Sequence, residues 1–175
     1  MVLLAWGSKV SPEFRRKVIV ICKTLGFDPS WLMACMAFET GGTFSPSVLN
    51  KWSRAVGLIQ FMPKTAASLG TSSQQLARMS AEAQLDFVYR YFQPWKGRLK
   101  SLEDVYMTIL WPLAVGKENS FVLFAAPSRQ YMQNKGLDID GGGQVTKWEA
   151  AEHVRRRYTR GLDPPLVWEG EIEEV

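Results

Sequence analysis

The chain has 175 residues, enough for one domain with a sizeable core, and its 46% hydrophobic and 22% charged residues place it with globular rather than disordered or fibrous proteins. No apolar run reaches membrane-spanning length, so no membrane insertion is expected. Charge is unevenly spread: residues 161–175 hold Asp163, Glu169, Glu171, Glu173 and Glu174 and no base, which leaves residues 1–160 at +9. Such a basic body suits an anionic polymer, either a nucleic acid or a bacterial wall. No nucleic-acid-binding fingerprint is present, so no specific nucleic acid is expected. His153 is the only histidine and no Cys/His cluster has zinc spacing, which excludes a Ser-His-Asp or Cys-His apparatus unless His153 serves it. His153 falls in a basic helix with no nucleophile signal nearby and reads as a surface residue. Cys22 and Cys35 each sit in an apolar helical run and read as buried free thiols.

Met1–Trp6 is apolar but too short for a signal peptide and lacks a basic lead-in. Ser11-Pro12 opens a first helix to about Leu25, with Phe14, Val18, Ile21, Cys22 and Leu25 on one face and Gly26 at its end. Asp28-Pro29-Ser30 starts a second at once: Asp28 can cap free N–H groups and Pro29 suits the first helical position. From Trp31 to Phe38 this helix has no charge and is apolar on every side, the pattern of a helix in the middle of a domain. Its first charge is Glu39, and Gly41-Gly42 stops it. Burial and the negative end of the helix dipole both disfavour an ionised Glu39, which is what a general acid needs. The plainer alternative is a helix-end Glu facing water.

Residues 40–62 are rich in Gly, Ser and Pro and read as a cleft loop, with room for a small hairpin near 44–60. Pro63–Leu69 is a short helix closed by Gly70, and Ser72 or Ser73 begins another ending near Met79. Ser80 caps a helix to Phe92, with Ala81, Leu85, Val88, Tyr89 and Phe92 inward. Ser101 caps the next, which turns Leu102, Val105, Tyr106, Ile109 and Leu110 inward and stops at Pro112. Thr146-Lys147-Trp148-Glu149 has capping-box spacing and opens a last helix to about Arg160. No alternating strand pattern of any length occurs, so the fold class is mainly α. A single domain over 1–162 is expected, with 163–175 as an extended acidic tail.

After Glu39-Thr40-Gly41-Gly42 comes Gly57-Leu58-Ile59-Gln60. This ordered pair of motifs resembles the lysozyme-like fold of soluble lytic transglycosylases and goose-type lysozymes, and is most similar to phage-encoded peptidoglycan-degrading enzymes. The resemblance is specific over Trp31–Gly70. It implies Glu39 as catalytic acid, Gln60 lining the site, Thr40 as the small hydroxyl beside the acid and Gly57 as a close-approach glycine. The family's third motif reads Ala-Tyr-Asn-Ala-Gly, whereas this chain has Leu110-Trp111-Pro112-Leu113-Ala114-Val115-Gly116. Trp111 in place of the Tyr can stack on a sugar but cannot give a phenol hydrogen bond to the acid. Tyr106 is a candidate substitute, and Trp52 in the cleft loop is a candidate second sugar platform.

After Glu39 the next acid is Glu82, so the cleft loop has no second carboxylate; Asp86 and Glu103 are the candidates from elsewhere. Glycosidases commonly use two carboxylates. One acid fits the lytic transglycosylase route, in which the muramic acid 6-hydroxyl closes a 1,6-anhydro ring and no water is activated. The alternatives are a hydrolytic muramidase with the same acid and a non-catalytic wall-binding phage structural protein. The resemblance implies peptidoglycan as partner, a monomer, and a phage-encoded protein made in the host cytoplasm that reaches the periplasmic wall through a holin-type pore or from the virion.

Residues 138–149, Asp138-Ile139-Asp140-Gly141-Gly142-Gly143-Gln144-Val145-Thr146-Lys147-Trp148-Glu149, resemble an EF-hand calcium loop. Asp138, Asp140, Gln144 through its carbonyl, Thr146 and Glu149 take the ligand positions, while Gly142 stands where an Asp or Asn is expected. The loop is either a structural calcium site, weakened by the missing ligand, or a metal-free relic that keeps the turn and the cap; both readings stay open, and catalysis by Glu39 needs no cofactor.

Overall fold

A computed structural model describes residues 1–172. Helix takes 52% of the chain and strand 9%, so the domain is mainly α. The elements in order are β1 (Val2–Leu4), α1 (Pro12–Leu25), α2 (Pro29–Glu39), α3 (Pro63–Ser68), α4 (Ser73–Arg78), α5 (Ala81–Phe92), α6 (Leu102–Leu110), β2 (Val122–Ala125), α7 (Arg129–Asn134), β3 (Gln144–Thr146), α8 (Lys147–Ala150), α9 (Glu152–Gly161) and β4 (Trp168–Gly170).

Helix starts follow the capping chemistry. Ser11, Asp28, Ser72, Ser80 and Ser101 each accept a backbone N–H in the first turn of the helix that follows. α2 runs through the centre: Leu32 to Ala37 have no exposed surface, and α1, α6 and α9 pack around it. Its polarity-free surface is thus accounted for by neighbours on every side. Among the described residues no single helix is long and apolar enough to cross a membrane; α1 and α2 qualify only jointly, and they bend by 120° between them.

Three expectations change. The helix expected over 146–160 is broken at Ala151 into α8 and α9, because the capping-box turn closes on itself before α9 resumes. Residues 163–170 are not an extended tail: Leu166 N–H donates to Asp163 O (2.9 Å), and β4 pairs antiparallel with β1, Leu4 opposite Trp168. Glu173 and Glu174 of the expected tail lie outside the described residues. Among the described residues four strands exist where no strand pattern was legible, in two two-stranded sheets, β1–β4 and β2–β3.

One ionic contact is built into the core. Lys147 Nζ, fully buried, donates to Asp104 Oδ1 (2.6 Å) and Lys117 O (2.7 Å), and Asp104 also accepts from the N–H groups of Gly116 and Lys100. Burial alone would raise the Asp104 carboxyl, but these donors hold it below its ordinary value. The pair fastens α8 to α6 and to the turn at Gly116.

Candidate functional site

α2 delivers Glu39 as the last residue of a buried helix, half-buried itself, at the point where Thr40–Gly42 turns away. Loss of hydration raises its pKa from 4.5 to about 7. Among the described residues it accepts no hydrogen bond and meets no cation, so nothing opposes that rise. The other candidate acids are committed elsewhere. Asp86 pairs with Lys17 (3.0 Å), Glu103 with Arg155 (3.3 Å), and Glu82 accepts from Ser11 Oγ (2.5 Å).

The surroundings of Glu39 are aromatic. Phe38 meets Tyr106 edge-on (5.9 Å, 89°) and lies parallel to His153 (5.6 Å, 9°). His153 is half-buried rather than fully exposed: α9 packs against α2 and lays the imidazole on the Phe38 ring. Tyr106 is buried, and burial together with the Glu39 charge drives its phenol well above the usual range. Tyr91 from α5 is pushed up to about 12 by burial and then by the Glu39 charge. Its ring stands edge-on to Phe61 (6.2 Å, 89°), at the end of the second motif, and its hydroxyl donates to Thr108 O. Tyr91 is not among the residues that the motifs single out. The signal was there, since Gln84, Val88 and Tyr91 fall on one stripe at i, i+4 and i+7.

The second motif is a tight turn. Val56 bridges both Leu49 and Phe61, which is the extent of the hairpin expected at 44–60. Gln60 sits in the left-handed region (φ 55°), and its Nε2 donates to Val48 O (3.0 Å) and Gly57 O (3.1 Å). Both amide protons are thus used within the loop, and the capacity left to Gln60 is the Oε1 acceptor. Gly57 also serves the loop. A Cβ there would lie 2.3 Å from Gln84 Oε1. Gln84 is fully buried, accepts from Leu58 N (2.7 Å) and donates to Pro46 O (3.0 Å) and Leu76 O (2.9 Å). The close approach expected of Gly57 is to this side chain.

Thr40 is buried; its hydroxyl donates to Met36 O (2.7 Å) and accepts from Phe44 N (2.9 Å). It shapes the exit of the chain from α2 and makes no bond to Glu39. Trp111 is half-buried and meets Phe124 edge-on (5.0 Å, 79°), whereas Trp52 is 96% exposed at the tip of the loop capped by Asn50. Cys22 and Cys35 are buried free thiols, as expected.

The EF-hand-like segment brings three of its five candidate ligands together. Oxygens of Asp138, Asp140 and Glu149 lie within 4.8 Å of one another, and this triad could hold a metal ion. The donor set is all carboxylate, which suits a hard cation. Asp138 accepts from Gly142 N (3.1 Å), Gly143 N (3.0 Å) and Tyr131 Oη (2.7 Å), so its charge is held in place, and these bonds, the tyrosine first, keep its pKa below the ordinary value. Thr146 is used otherwise: its hydroxyl donates to Glu149 Oε1 (2.9 Å) and accepts from Glu149 N (3.2 Å), a capping box. Gln144 is exposed in β3, opposite Ala125.

Comparison with protein-family models, curated proteins and solved structures finds no match to this chain.

Proposed function

We propose that the chain is a glycan-cleaving enzyme of the lysozyme-like class, and within it a lytic transglycosylase that cuts the β-1,4 bond between N-acetylmuramic acid and N-acetylglucosamine in bacterial peptidoglycan. The observation that carries this reading is Glu39, a lone carboxyl lifted to about 7 by burial at the head of a loop without acids. Protonated near neutrality, it gives its proton to the glycosidic oxygen as the C1–O bond breaks. The carboxylate so formed takes the proton of the muramic acid 6-hydroxyl while O6 bonds to C1, and a 1,6-anhydro ring closes. Atoms and protons balance without water. The engagement of Asp86, Glu103 and Glu82 with other partners supports a route that needs no second carboxylate.

In this reading Gln60 Oε1 accepts from an acetamido N–H or a sugar hydroxyl. Tyr106 and Tyr91 wall the acid and keep it dry, and Trp52 and Trp111 are stacking platforms. Calcium at Asp138, Asp140 and Glu149 is structural and takes no part in the chemistry.

The test is digestion of purified peptidoglycan with mass spectrometry of the new ends. Anhydro-muramic acid ends are expected, and their loss in Glu39→Gln. Reducing muramic acid ends would mean a hydrolytic muramidase. Unchanged cleavage by Glu39→Gln would reject the acid, and no cleavage by the parent would leave a wall-binding protein.

A further inference from the structure

A second surface lies along α8 and α9. Two adjoining cavities, each about 520 Å³, share Trp148, Glu152 and Arg155. One continues past Thr159 to Arg160 and Asp163; the other reaches Ile139, Asp140 and Glu149. Glu39 lines neither.

Trp148 stands between the two and is 48% exposed. It is on a rigid mount, because α8 is a single turn closed by the Thr146–Glu149 capping box, and Trp148 N–H donates to Asn119 O (3.0 Å). Arg155 lies 3.4 Å from the indole ring. That guanidinium is itself held by Glu103 (3.3 Å), Glu152 (2.6 Å) and Trp148 O (2.7 Å). A guanidinium fixed against the indole holds Trp148 in place, and the exposed part of the ring offers a stacking surface to a flat, weakly polar ligand with little conformational entropy to lose.

We propose that this groove is an accessory binding site for a glycan strand, one sugar ring stacked on Trp148 and a carboxylate of its peptide stem meeting Arg160. Asp163 accepts hydrogen bonds from sugar hydroxyls and amides, while Glu152 holds Arg155 and Arg156 in place. Charge density separates this occupant from a nucleic acid: four carboxylates (Glu152, Asp163, Asp140 and Glu149) stand against three guanidiniums (Arg155, Arg156 and Arg160), a near-balanced lining that suits a mostly neutral sugar strand and not a chain with a phosphate on every unit. Arg160 supplies the positive end, Arg156 being paired with Glu152 (3.0 Å). Naming the glycan as peptidoglycan rests on the function proposed above. The groove would hold the wall while Glu39 cuts.

The experiment is sedimentation of the Glu39→Gln protein with purified peptidoglycan. Adding Trp148→Ala is expected to weaken binding about tenfold, the scale of one stacking contact. Trp148→Phe should restore part of it, and Arg160→Glu should weaken it in a salt-dependent way. Thermal midpoints of these variants, all at exposed positions, control for folding. Trp148→Ala in the active protein should raise KM on the insoluble wall and leave kcat unchanged on short soluble fragments. Parental binding by both Trp148→Ala and Arg160→Glu, or displacement of the wall by equimolar oligonucleotide, would overturn the proposal. Failure of the catalytic reading is seen separately, as cleavage that survives Glu39→Gln.

Discussion

At Glu39 one side chain carries both the proposed chemistry and a cost. An acid that must donate a proton is active in its protonated form, so cleavage should fall as pH rises, with a descending limb near the raised value of about 7. Initial rates of anhydro-product release between pH 5 and 9 measure this, and a limb at an ordinary carboxyl value would contradict a buried acid. The same shift predicts stability. The folded protein holds this proton more tightly than the unfolded chain, so folding loses free energy as pH rises from the ordinary value of 4.5 and the loss is complete above about 7. Glu39→Gln should therefore stabilise the fold at pH 8 by roughly 1–3 kcal/mol and do little at pH 4, read by urea denaturation at both values.

Element ends were legible where a single side chain decides them. Ser11, Asp28, Ser80 and Ser101 cap the helices that their spacing predicts, and the apolar face of α1 is buried residue for residue. The strands were not legible, because three or four residues are too few to show alternation and β1 finds its partner 164 or more positions away. Polar side chains inside the core were equally silent. Gln84 looks like a surface residue of α5, yet it is the strut on which the Gly57–Gln60 turn rests. That turn gives a sharp contrast between two glycines of similar conformation. Gly57 (φ +86°) would drive a Cβ into Gln84, whereas Gly70 (φ +78°) has nothing within 4 Å. Gly57→Ala should destabilise by roughly 2–4 kcal/mol and Gly70→Ala by about 1 kcal/mol, the cost of the positive φ alone. Equal losses in chemical denaturation would mean that Gln84 moves aside freely.

Across the whole molecule, the chain is closed by contacts that join distant segments. β1–β4 joins residues 2–4 to 168–170, and the segment from Trp111 to Ala125 is fastened to the acidic loop by the β2–β3 pairing, by Lys147 N–H to Phe121 O (2.8 Å) and by Lys147 Nζ to Lys117 O (2.7 Å). The metal pattern in residues 138–149 was readable because its spacing is local, whereas the use of Thr146 as a cap depends on a bond to Glu149 that spacing alone leaves open. Three mutually repelling carboxylates sit in the middle of this fastening. A divalent cation there would relieve the repulsion and tighten the loop against α6 and α9. With Gly142 in place of one expected ligand, the affinity should be weak, on the order of 10⁻⁴–10⁻³ M. At a hundredfold excess over Kd, calcium would add about 2.7 kcal/mol to folding. For a chain of this size the melting temperature should rise by roughly 5–10 °C, and Asp140→Asn should abolish the rise. Scanning calorimetry with calcium and with chelator makes the measurement. If the calcium is structural, cleavage below the melting range should be the same in both, because the chemistry proposed for Glu39 does not use it; a melting temperature indifferent to calcium would leave the triad as a turn stabilised by Tyr131 and the glycine N–H groups alone.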